Sequence, residues 1–167
     1  MTYEWRCHCC GQVFDTLPMS YGTRAPDYWQ DIPESQYDRR NFLTSDACVI
    51  DGRDRFIRGC IELPVHGQDD SFVWGAWVSL SEKSFARVHE LWDEPVRSDE
   101  PPMFGWLSTN LQPYPPTLNL KTLVHLRSGG LRPFIELEPT DHPLAVEQRN
   151  GITMTRVEEI ASLLHRS

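Results

Sequence analysis

No apolar run in this chain approaches the ~18 residues that a bilayer-spanning helix requires, so no membrane association is expected. Met1 to Arg6 lack the apolar stretch of a secretion signal, and a cytoplasmic location is the expectation. Positive charge is scarce. Sixteen Lys and Arg face twenty-four Asp and Glu, a net charge of -8. Phosphate-backbone binding needs a basic surface, so a nucleic-acid partner is not expected. Arg39, Arg40, Arg53, Arg55 and Arg58 do cluster, but Asp46, Asp51 and Asp54 lie among them. G-x-G-x-x-G and Walker loops are missing, which removes support for nucleotide binding. Neither G-x-S-x-G nor H-E-x-x-H is present, so serine-hydrolase and zincin chemistry lack their local signatures. There is no internal repeat.

Five cysteines are present, an odd number in a chain without a signal peptide. Disulfides are rare in a reducing cytosol, so metal ligation or plain burial is the better reading. Cys7-His8-Cys9-Cys10-Gly11 is the densest chemistry. Cys7 and Cys10 form a C-x-x-C pair, and the following glycine relieves a tight turn. This spacing aims two thiolates at one tetrahedral ion and predicts a structural zinc. No second C-x-x-C supplies the remaining ligands. Cys48, Cys60, His142 and His8 are the candidates. An even loop at Asp51–Asp54 would put Cys48 and Cys60 on opposite faces of a hairpin, and a three-residue loop would put them on one face. Cys9 is expected to stand aside. Two reduced cysteines in a terminal turn, or a redox pair, are the competing readings.

The length of 167 residues suits one domain, with residues 1–20 as a metal-knuckle segment and the Pro-rich stretch 93–102 as a surface loop. Residues 47–63 read as a hairpin and Phe72 to Leu80 as a strand. Residues 118–127 alternate apolar with mostly polar residues, and Ser128-Gly129-Gly130 turns them into a partner strand, Leu131 to Glu138. Ser81 to Trp92 begins at a capping serine. Thr155 to Leu164 opens with Thr-x-x-Glu and carries Val157, Ile160, Ala161 and Leu164 at helical spacing. A short helix near Pro33 to Arg40 is a third candidate. The predicted fold is α+β, a mainly antiparallel sheet with two or three helices on one side and an N-terminal zinc-knuckle-like turn.

Glu136, Glu138, Asp141 and His142 form a second constellation. Pairing across the glycine turn sets Lys121 opposite Glu138, Leu123 opposite Glu136 and His125 opposite Phe134. One face would then carry Lys121, His125, Glu136 and Glu138, an acid–base set able to bind a polar ligand or transfer protons, or a solvated face with a modest cross-strand ion pair. Glu138, Asp141 and His142 are the catalytic candidates. Arg58, Arg132 and Arg149 could instead tie the segment into an ion network. Asp141-His142-Pro143 could equally be a turn capped by the aspartate. A Cys48–His142 dyad is a weaker alternative. Phe72, Trp74, Trp77, Phe104 and Trp106 lie near glycines and read as core, or as an aromatic recognition surface.

The stretches Trp5 to Gly11, Leu17-Pro18, Ser45 to Asp51, Phe56 to Gly59, Trp74 to Glu82, Phe104 to Leu107 and Glu136 to Ala145 together resemble an uncharacterised bacterial family, the domain of unknown function 2199. The resemblance implies one bacterial-type soluble domain and no activity. Residue chemistry therefore carries the functional expectation. It is a zinc-stabilised module that docks a protein partner, of immunity or accessory type, whose acidity suits a basic partner surface. The alternative is a small metal- or carboxylate-dependent hydrolase built on residues 136–142.

Overall fold

A computed structural model describes residues 4–165. Two long strands set the frame. β6 (Asp54–Leu63) and β7 (Phe72–Leu80) pair antiparallel from Arg55 opposite Leu80 to Leu63 opposite Phe72. Alternate residues point inward: Ile57, Ile61 and Leu63 from β6, and Phe72, Trp74, Ala76, Val78 and Leu80 from β7, all buried in one core. β8 (Met103–Leu107) pairs antiparallel with β7, β9 (Lys121–His125) with β8, and β10 (Phe134–Leu137) with β9. β10 then returns to β6 through a parallel contact, Phe134 opposite Cys60, which closes a five-stranded barrel. The single-domain α+β expectation holds, with one correction to the sheet. It is a mixed barrel, because β10 and the short β3 (Ser20–Gly22), which pairs with β7, both join in parallel.

Closure depends on Gly59. A Cβ there would sit 2.8 Å from Cγ1 of Ile135 and 2.9 Å from the Pro133 carbonyl oxygen, so only glycine lets β10 approach β6 this closely. Outside the barrel, β5 (Ala47–Ile50) and β4 (Phe42–Leu43) extend the sheet beyond β6. Cys48, Phe56, Trp77, Trp29 and Leu43 build a second, smaller core there.

Among the described residues, three α-helices pack around this frame. α1 (Glu82–Glu90) starts as expected at Ser81, whose hydroxyl accepts from the Ser84 N–H. α3 (Met154–His165) buries Val157, Ile160 and Ala161, but Thr153 rather than Thr155 caps it, its Oγ1 accepting from the Arg156 N–H. The region near Pro33 forms only a 3-10 turn, Glu34–Gln36. α2 (Pro143–Asn150) has no counterpart among the sequence expectations. Residues 93–102 hold neither helix nor strand. At the N-terminus, β1 (Trp5–Arg6) and β2 (Val13–Phe14) form a separate small hairpin.

Candidate functional site

The β1–β2 hairpin presents the cysteines. Gly11 lies at φ 73°, a conformation that favours glycine, and its N–H donates to the Cys7 carbonyl. That tight turn turns three thiols toward one point. The Sγ atoms of Cys7, Cys9 and Cys10 all lie within 4.8 Å of one another, a donor set able to hold a metal ion. Cys7 is buried, Cys9 half-buried and Cys10 exposed. Cys9, expected to stand aside, is part of the cluster, its Sγ 2.8 Å from that of Cys7. Burial pushes the Cys7 thiol up, but the Cys9 side chain and the backbone N–H groups of Cys9 and Cys10 outweigh it and bring it down to about 6. Cys9 moves the other way, to about 11, since it shares its proton with Cys7 and is partly desolvated.

The turn is anchored to the body of the protein. Trp5 and Cys7 pack on Ala161 of α3, and the His8 N–H donates to the Ser162 hydroxyl over 2.9 Å. Phe14 meets the His165 ring edge-on at 5.3 Å.

His8 lies in the turn itself but is not part of the thiol cluster, and Cys48, Cys60 and His142 lie elsewhere. The loop joining β5 to β6 has three residues, with Ile50 opposite Asp54, so Cys48 and Cys60 do share a face. Cys48 pairs with Phe56, however, and Cys60 lies four residues further along β6, ~13 Å at strand rise, too far to share an ion. Cys48 is enclosed by aromatic rings, and burial pushes its thiol up to about 12. His142 begins α2 instead. Its Nδ1 accepts from the Leu144 N–H at 3.1 Å and its Nε2–H donates to the Pro116 carbonyl at 3.1 Å. The imidazole, not Asp141, therefore caps this turn.

The predicted pairing of β9 with β10 is observed: Leu123 opposite Glu136, His125 opposite Phe134, and the Glu138 N–H donating to the Lys121 carbonyl. The strands are shorter than expected, so residues 126–133 form a wider loop. His125 Nε2 lies 2.9 Å from Glu136 Oε1. Beside this pair runs an open groove of about 340 Å3, lined by Phe104, Lys121, Leu123, Glu136 and Glu138. Asp141 and His142 do not line it. Of the three remote arginines, Arg132 pairs with Asp46 and Arg149 donates to the Thr140 carbonyl.

Aromatic side chains flank the groove. Phe104 and Trp106 point out of the barrel from β8 because β8 alternates, burying Met103, Gly105 and Leu107. Their rings meet edge-on at 5.0 Å, and each is more than two-fifths exposed, as is Leu123. Trp106 also borders a second depression of about 550 Å3 with Tyr28 and Phe56.

Fold and site together define a small mixed β-barrel with a three-thiol hairpin and an exposed aromatic sheet face. The chain belongs to the family described as an uncharacterized protein conserved in bacteria, the domain of unknown function 2199, whose model matches residues 6–152. No curated protein and no solved structure matches it. No helix among the described residues is long and apolar enough to cross a membrane.

Proposed function

We propose that the protein is a zinc-stabilised bacterial binding module of the cytoplasm. In this reading, zinc on Cys7, Cys9 and Cys10 staples the N-terminal hairpin, and the outer face of β8, β9 and β10 docks a protein partner. The observation that carries it is the apolar cluster of Phe104, Trp106 and Leu123, open to solvent beside a groove with Glu136 and Glu138 on its rim. Paired aromatic anchors with a charged rim are what protein interfaces concentrate, and single aromatic side chains dominate their energetics. The rim glutamates and the net charge of -8 favour a partner with a basic surface and an apolar centre.

The hydrolase reading has less support. Both ring nitrogens of His142 are occupied, one capping α2 and one on the Pro116 carbonyl, and Asp141 stands away from the groove. Its remaining support is the His125–Glu136 pair.

The test is reconstitution. A partner recovered from a bacterium that encodes the chain is identified, purified and titrated against wild type, Trp106→Asp and Phe104→Ser. Both variants should weaken binding by about 2 kcal/mol or more while keeping the wild-type melting temperature. Equal affinity across the three proteins would place the interface elsewhere. Metal content tests the staple. About one zinc per chain should co-purify, and Cys7→Ser, Cys9→Ser and Cys10→Ser should each reduce it.

A further inference from the structure

The loop of residues 93–102 carries an unusual, buried cation. Arg97 is 8 % exposed, and its guanidinium donates to three backbone carbonyls: Nε to Arg127, Nη1 to Trp92 and Nη2 to Leu131. Carbonyl oxygens satisfy hydrogen bonds without cancelling charge. A guanidinium has five N–H donors, so two remain after these three bonds. Buried charges are ordinarily paired, yet among the described residues no carboxylate forms an ion pair with Arg97. Asp93, Glu94 and Asp99 of the same loop are exposed and make no ion pair with it.

Arg97 lines a groove of about 400 Å3 together with Trp92, Leu131, Arg132 and Asp46. Trp92 is 40 % exposed and lies under the Arg97 guanidinium, 5.7 Å from ring centroid to Cζ. Among the described residues, Asp46 is the one carboxylate lining the groove, and it accepts from Arg132 Nε over 2.9 Å. Two lining arginines against one aspartate leave a net positive charge. Arg58 lies nearby: its backbone N–H donates to the Asp46 carbonyl, and its charge is close enough to feel both Arg132 and Asp46. Its Nε is buried without an acceptor, and its Nη2 occupies the space left by Gly22, where a Cβ would come within 2.7 Å. Arg132 is close enough to repel the Arg58 charge, and burial and this repulsion together pull Arg58 below the usual guanidinium range. Asp46 offsets Arg132, and the charge of Arg97, which no described carboxylate offsets, is the one a bound anion would complement.

We infer that the groove between Arg97 and Arg132 is a binding site for a small oxyanion, the phosphate or carboxylate group of a low-molecular-weight ligand. Arg97 is held in place by its three carbonyl partners, so little further ordering is needed for its remaining N–H capacity to meet an anion, and the exposed Arg132 supplies the second arm. Asp46 competes with the anion for Arg132. The site is separate from the aromatic face and does not depend on the docking reading.

The probes are inorganic phosphate and, in a separate arm, acetate, titrated into 15N-labelled full-length protein at constant ionic strength. Saturable shifts of the Gly130 and Leu131 amides and of the Arg97 Nε–H are expected with one or both anions, and the stronger of the two identifies the ligand group. Arg132→Gln should weaken binding about tenfold, since one charge-assisted arm is lost while the exposed position spares the fold. Asp46→Asn should tighten it by removing the competitor. A purely structural role for Arg97 gives a different result: no saturable shift with either anion, or shifts unchanged in Arg132→Gln and Asp46→Asn. Either outcome overturns the inference.

Discussion

Cys7 and Cys48 carry the same thiol in opposite settings. Around Cys7, the N–H groups and the neighbouring thiols of a tight turn stabilise the thiolate. Around Cys48, burial among Phe56, Trp77 and Trp29 strips the thiol of water and disfavours its charged form. A thiol with a folded pKa near 12, against an ordinary 9.0, binds its proton more firmly in the folded state than in the unfolded one. Its contribution to stability is complete below pH ~9 and is lost as pH rises from there toward 12. Wild type should therefore lose stability through this alkaline window, and Cys48→Val should show a shallower loss. Urea unfolding at a series of pH values from 8 to ~11 measures it. Parallel curves for the two proteins would show that Cys48 is not the titrating group. Cys7 and Cys10 were legible as a pair from spacing alone. The approach of Cys9 was not, because it is set by the backbone of residues 8–10, and two residues of separation say little about where a side chain points in a turn.

At the scale of elements, alternation was enough to read strands, and a shared glycine turn was enough to set the β9–β10 register residue for residue. Barrel closure was not legible. It rests on one parallel contact between elements more than seventy residues apart, Phe134 with Cys60, and a contact of that range leaves no local periodicity. The one trace it leaves is Gly59, which in isolation reads only as a strand glycine. Gly59→Ala tests that role. The added methyl group meets Ile135 and the Pro133 carbonyl oxygen, and backbone cannot yield as a side-chain end can. A loss of about 1–3 kcal/mol is expected from overpacking. Ile135→Val in the same chain should not restore stability, since the carbonyl contact remains. Full stability in Gly59→Ala, read from the urea midpoint, would mean that β10 can back away from β6 at no cost. α2 did carry start and stop signals, Pro143 at its first turn and Gly151 just past its end. They were obscured because His142, rather than a Ser, Thr, Asp or Asn, supplies the cap.

At the scale of the whole molecule, the hairpin and the barrel are held by different means. The barrel core runs continuously from β6 through β10 and includes Leu144 of α2 and Ile160 of α3. The N-terminal hairpin touches this body through a small cluster, Trp5 and Cys7 on Ala161, with the His8–Ser162 hydrogen bond beside it. A two-stranded hairpin of this size has marginal stability by itself in water, which is where a metal staple contributes most. Regions of unequal stability open separately, and amide exchange resolves them. If zinc holds the three thiols, a chelator should release protection over residues 5–14 and the last turns of α3, and leave β6 and β7 protected at their wild-type level. Cys7→Ser should reproduce that pattern without chelator. Two outcomes would count against the staple. Unchanged exchange everywhere after chelation would mean that packing on Ala161 is sufficient without a metal. Loss of protection throughout β6 and β7 would mean that the hairpin is part of the barrel's cooperative unit, and that the thiol cluster supports the whole fold rather than one appendage.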